Sequence, residues 1–196
     1  MSADRILRIA RSGRVARQAG FWWGLAEGIV FFIVPDVYIT FATLYSIRAG
    51  VVAWLFSIVG SLVAVCVIYV VVTVFGAGYV SFLNWIPGIS QPLLEQTAVT
   101  IAADGLPYTP ALVLGGVPLK VYAAIACTLG TSLGALLVWT VFARVVRIAP
   151  VFLLIALVRG AARRSVDAHP AAWLGAHIVS WVAFYVFYFY QMSRLA

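Results

Sequence analysis

The chain has 196 residues, 64% of them hydrophobic and 10% charged, with a mean hydropathy of +1.06. A soluble domain averages about 45–50% apolar and about 25% charged residues, so a water-soluble globule is excluded and an integral membrane protein of one domain is expected. Thirteen basic residues against six acidic ones leave a net charge of +7, and their clustering beside apolar runs points to membrane orientation and anionic lipid, with no motif for nucleic acid.

No pattern of alternating ten-residue segments marks a β-barrel, so the spans are expected to be helical. Residues 1–20 carry Arg5, Arg8, Arg11, Arg14 and Arg17, interleaved with Ile6, Leu7, Ile9 and Val15. A period of three drifts slowly around a helix, which sets a basic stripe beside an apolar one. The expectation is an amphipathic helix lying flat on the cytoplasmic interface; the alternative is a disordered basic tail. Five arginines ahead of the first apolar stretch, and no small-residue cleavage site, do not resemble a secretory signal.

The next apolar region, 21–47, is long enough to cross a bilayer, which takes about 20 residues. Its content argues against crossing. Glu27 and Asp36 are acidic, Pro35 interrupts the run, and Gly20, Gly24 and Gly28 recur every four residues. Arg48 follows, and a crossing would place it outside, against the positive-inside trend. A re-entrant hairpin that enters and leaves on the cytoplasmic side removes the conflict. It requires protein or a wet cavity around its tip.

Residues 50–75 form an uncharged span. Residues 76–110 hold Asn84, Gln91, Glu95, Asp104 and four prolines, and are expected outside as loop with one short amphipathic helix near 91–103. Residues 111–131 repeat the first puzzle, with Pro118 beside Lys120, the single lysine. A second re-entrant hairpin, now from the outside, is expected there. Spans over 132–158 and 171–191 complete the membrane domain, 21–196. Arg159, Arg163 and Arg164 mark the cytoplasmic side between them. The N-terminus is then cytoplasmic in a multi-pass membrane protein.

Shifting the first hairpin by 84 positions sets Asp36 on Lys120, Val37 on Val121, Tyr38 on Tyr122 and Ala42 on Ala126. Each unit is a hairpin followed by a span, and the two start from opposite sides. This all-α inverted repeat is an architecture of transporters that bind substrate near the midplane.

Glu27 followed by "VPDV" at 34–37, "GGVPLKVYAAIA" at 115–126 and "FARVVR" at 142–147 carry a resemblance. Over about 22–160 the chain resembles the DedA superfamily of bacterial membrane proteins, also called the SNARE-associated or VTT-domain family, in its YqaA-like branch. The resemblance implies two opposed re-entrant hairpins and movement of phospholipid or undecaprenyl phosphate between leaflets, in some members with proton coupling. It also implies functional roles for Glu27, Asp36, Arg144 and Arg147. Val34 and Ala143 stand where that family often has proline and glycine.

The candidate binding residues are therefore Glu27, Asp36, Lys120, Arg144 and Arg147. Two acids against three bases leave one positive charge, which a phosphate headgroup would balance. Arg144 and Arg147 are spaced i, i+3 on one helix face, and paired guanidiniums grip phosphate through bidentate hydrogen bonds. Asp36 is expected to balance Arg144 when the site is empty. The alternatives are a closed salt-bridge cluster pinning the hairpins, an Arg147 that snorkels to the cytoplasm, and an interfacial Glu27. At the level of function they are a proton-coupled transporter of a small ion and a non-transporting assembly protein. Cys66, Cys127, His169 and His177 lack metal-ligand spacing. No cofactor, metal or enzymatic signature is expected, and a homo-oligomer is open.

Overall fold

A computed structural model describes residues 3–109 and 116–195, and among them every regular element is helical. Residues 111–115, at the start of the expected second hairpin, lie outside the described residues. The helices are α1 (Ala3–Arg11), α2 (Gly13–Ile29), α3 (Asp36–Tyr45), α4 (Ile47–Phe75), α5 (Ala77–Leu83), α6 (Gln91–Asp104), α7 (Leu119–Thr128), α8 (Leu133–Ala161), α9 (Arg163–Ala168) and α10 (Pro170–Leu195). Three of them, α4, α8 and α10, are long and apolar enough to cross a membrane. At 1.5 Å per residue, the 29 residues of α4 and of α8 each extend about 44 Å. The outer face of α4 carries Leu55, Val59, Val63, Val67, Val70 and Val74, all exposed, as a lipid-facing helix requires.

The N-terminal segment departs from a single interfacial helix over 1–20. Ser12 ends α1 and caps α2, its hydroxyl accepting from the Val15 amide at 3.3 Å, because a serine at this position satisfies an otherwise orphaned donor. Ile6 and Ala10 of α1 are buried against Leu44, Tyr45 and Val166. The apolar stripe of α1 thus faces protein, while Arg5, Arg8 and Arg11 stay exposed. The expected loop after α4 also contains α5, whereas the amphipathic helix expected near 91–103 is α6.

α2 runs parallel to α4. Gly20, Gly24 and Gly28 stand against Ala53, Ser57 and Ala64, and Gly60 stands against Phe21 and Leu25. A Cβ at Gly24 would collide with the backbone of Ser57, so these glycines allow the two backbones to approach closely. The chain then reverses over 30–35. Trp23 donates to the Ile33 carbonyl at 2.9 Å and stacks with Tyr38 at 6.3 Å between centroids. α3 therefore returns beside α2.

Two parts of the chain share one local plan. α3 and α7 have ten residues each and α4 and α8 have 29 each. Pro35 and Pro118 occupy the N-cap positions of α3 and α7. Ser46 and Ser132 cap α4 and α8, accepting from the amides of Ala49 and Ala135. Proline suits both N-caps because it has no N–H to satisfy and cannot continue a preceding helix.

The apolar core divides along α8. Trp139 and Ala143 pack with α7 and the distal half of α4, and Ile148 and Phe152 pack with Ala16, Ile39, Ala49 and Ala53. Arg144 and Arg147 lie between these two clusters. On α4 the same level is occupied by Ser57 and Ser61, which are buried and return their hydroxyls to helix carbonyls of Trp54 and Ser57. A polar layer thus crosses the molecule midway along its long helices.

Candidate functional site

The polar layer gathers all five candidate residues from four helices: Glu27 from the last turn of α2, Asp36 from the first turn of α3, Lys120 from the first turn of α7, and Arg144 and Arg147 from α8. Glu27 and Arg144 are 2% and 1% exposed and form a direct ion pair. Lys120, 2% exposed, donates from Nζ to the Phe31 carbonyl at 3.0 Å. That bond joins the start of α7 to the turn between α2 and α3. A cation at a helix N-terminus opposes the helix dipole. The carbonyl, and the charge of Glu27 within electrostatic reach, offset that opposition.

Asp36 is not the partner of Arg144. Its Oδ2 is buried and has no hydrogen-bond partner, and Nε and Nη1 of Arg144 are unpartnered as well. Glu27 takes the pairing role because the last turn of α2, drawn against α4 by its glycines, brings that carboxylate to Arg144. Asp36 instead lies at the N-terminus of α3, where the dipole favours an acid, with Arg147 and Arg144 within electrostatic reach. Arg147 stays with the cluster: it borders the same cavity as Asp36 and Lys120.

That cavity has a volume of about 710 Å³. Glu27, Asp36, Lys120 and Arg147 border it, and Arg144 does not. Leu44, Val151, Ile155 and Val158 form an apolar wall toward one end, and Ile86, Pro87 and Ile89 toward the other. One side is α10, which contributes residues from Trp173 to Phe189, about 24 Å of helix axis. The hydrocarbon core of a bilayer is about 30 Å thick. The most apolar stretch of α10 has no buried residue. A single helix therefore stands between much of the cavity and the molecular surface.

Three polar contacts hold α10 to α3 and the turn before it. Tyr185 Oη accepts from the Val34 amide at 2.9 Å, Trp181 donates to Thr40 Oγ1 at 3.1 Å, and His177 Nε2 lies 3.2 Å from the Val37 carbonyl. Thr40 passes its own proton to the Asp36 carbonyl at 2.6 Å. These residues were not among the sequence-derived candidates. The available signal is His177, Trp181, Tyr185 and Tyr188 falling at intervals of three and four on one face of an otherwise apolar span.

On the opposite flank, Arg144 and Arg147 border a second, small cavity of about 20 Å³ with Val117, Leu119, Tyr122, Trp139 and Ala143. At the end of the molecule that holds α1 and α9, Arg159 is buried, in contrast to a free topology signal. It donates to both oxygens of Asp167 at 2.8 and 3.2 Å, and Arg11 reaches the same carboxylate at 2.6 Å. The hydrogen bond from Arg159 holds the Asp167 carboxyl below the usual aspartate range.

No group of histidine, cysteine and acidic residues among the described residues is arranged to hold a metal ion. Compared with known protein families, with curated proteins and with solved structures, the chain matches none of them.

Proposed function

We propose that the protein is a transporter that moves a phosphate-bearing lipid between the leaflets of a bacterial inner membrane. One observation carries this reading: a cavity lined along about 24 Å of α10, bordered by Glu27, Asp36, Lys120 and Arg147 and by apolar side chains on either side of them. A headgroup would pass the charged layer while its tail leaves sideways past α10 into lipid. Arg147 supplies a planar donor fork for phosphate and Lys120 a second positive charge. Glu27 and Arg144 complete the site as a buried pair that fixes α2 against α8.

In this reading the segments around 30–35 and before 119 are the tips of two opposed re-entrant hairpins, and the shared plan of α3–α4 and α7–α8 is an inverted repeat. The N-terminus and α9 are cytoplasmic, and the chain is a DedA-like protein. The repeated proline caps, the equal helix lengths and the Lys120–Phe31 bond support this arrangement. Asp36 supports a second reading, a proton-coupled transporter of a small ion: a buried carboxylate oxygen without a partner, beside a cavity, is placed to exchange a proton.

The test is reconstitution in liposomes containing labelled phospholipid or polyprenyl phosphate, with transbilayer movement followed directly. Arg147→Lys keeps the charge and loses the fork. It should remain folded and move lipid roughly tenfold more slowly, the effect of about 1.4 kcal/mol at the barrier. Native-rate movement by that variant rejects Arg147 as the phosphate reader. Proton-driven ion flux without lipid movement selects the second reading.

A further inference from the structure

We propose that α10 is a hinged side gate: it pivots at Pro170 and swings its far half away from α3, opening the large cavity sideways to lipid. This role rests on the transporter reading and names its moving part. The near end of α10 is pinned. Tyr45 is buried and donates from Oη to the Pro170 carbonyl at 2.7 Å, and Trp173 donates to Ser165 Oγ at 3.1 Å. Trp173 and Leu174 pack against the buried cluster of Ile6, Ala10, Leu44, Tyr45 and Val166. His169 alone separates α9 from α10, and Pro170 has no N–H with which to continue the preceding helix. That junction supplies the pivot.

The far end is held differently. No residue from 171 to 190 is buried, and among the described residues of α10 none beyond Leu174 joins a buried apolar cluster. Its far half is latched by contacts at the edge: Tyr185 Oη on the Val34 amide at 2.9 Å, Trp181 Nε1 on Thr40 Oγ1 at 3.1 Å, Phe189 against Phe32 at 5.9 Å between ring centroids, and the Tyr188 hydroxyl beside Gly88. A helix fixed by buried apolar packing at one end and by edge contacts at the other opens at the second end first. Its backbone hydrogen bonds run within the helix, so tilting breaks none of them. A tilt of about 15° at Pro170 carries Val186, about 24 Å along the axis, sideways by about 6 Å. Trp181, Tyr185, Tyr188 and Phe189 all line the cavity, so the movement that releases the latch also opens the wall.

Distances between spin labels on the full chain in lipid nanodiscs, with Cys66 and Cys127 replaced, test the hinge without a transport readout. Val70 on the outer face of α4 is the fixed site; it and Val186 are 60% and 66% exposed. Val70→Cys with Val186→Cys should give two populations of distance, and Val70→Cys with Ala172→Cys only one. Tyr185→Phe with Trp181→Phe removes the two latch hydrogen bonds and keeps aromatic rings. It should raise the ratio of open to closed about tenfold, the effect of two hydrogen bonds of ordinary net strength. Phe32→Cys with Phe189→Cys, bridged by a reducible bifunctional thiol reagent, should stop lipid movement in liposomes, with recovery on reduction. Neither the bridge nor the distances measured with the latch intact depend on the double Phe variant folding. A single Val70–Val186 distance that the double Phe variant leaves unchanged overturns the gate. So does undiminished lipid movement by the bridged protein, which would leave the transporter reading in place. Two populations in a protein that moves no lipid would keep the hinge and end the transporter reading.

Discussion

Separating Glu27 from Arg144 gives the sharpest test of how the polar layer is built. Both side chains are almost fully buried and in direct contact, and Lys120 is tied to the neighbouring turn. Arg144→Met leaves the Glu27 carboxylate buried with its direct partner gone. Glu27→Gln leaves the Arg144 guanidinium, whose other two nitrogens are already unsatisfied, without its counter-charge. Breaking one side of a buried pair typically costs about 3–5 kcal/mol. At about 2–4 °C per kcal/mol for a chain of this size, each single variant should lose roughly 6–20 °C in Tm. Replacing both partners removes both stranded charges, so the double variant should lose much less than the two single losses added, with a coupling of about 2 kcal/mol or more. Melting followed by circular dichroism in one detergent, with all four proteins side by side, measures this directly. Strict additivity would mean that the two groups do not stabilise each other, and the clamp between α2 and α8 would have to be abandoned.

Gly24→Leu should prevent close packing of α2 on α4, because even a Cβ there meets the Ser57 backbone; overpacking of this kind costs about 1–3 kcal/mol or more. Gly134→Leu, where nothing lies within 4 Å, serves as control, and equal yields of monodisperse protein from both would contradict the packing argument. Asp167 contributes stability while ionised. Its carboxyl is held below the ordinary value of about 3.9 by Arg159, so the contribution is present above that value and is lost as pH falls through the lowered one. Melting wild type and Asp167→Asn from pH 3 to 7 should show a wild-type advantage that shrinks toward the acid end; a constant difference rejects the linkage. With Cys66 and Cys127 replaced, Ser90→Cys should react with an impermeant thiol reagent added from outside, and exclusive labelling from the cytoplasmic face reverses the proposed orientation.

Much of this protein is determined by its sequence alone, because a bilayer acts on composition and length. Uncharged apolar runs of twenty or more residues have little choice but to be helices, and the three long helices lie close to the expected spans. Pro35 and Pro118 are also legible as interruptions, since proline acts through its own backbone, while only the structure shows that each opens a helix. Partnership is not a local property. Nothing in the order of residues shows that Glu27, and not Asp36, reaches Arg144. That follows from the glycines of α2 lying against α4, which sets how deep the last turn of α2 sits. The i, i+3 spacing of Arg144 and Arg147 places them on one face of α8, yet packing splits them: Arg147 borders both cavities and Arg144 only the smaller. The aromatic wall of α10 belongs to the same class. In sequence it is a polar-flecked apolar span. It becomes one side of a cavity because tertiary contacts with Val34, Val37 and Thr40 hold it there, and such contacts join residues about 140–150 positions apart.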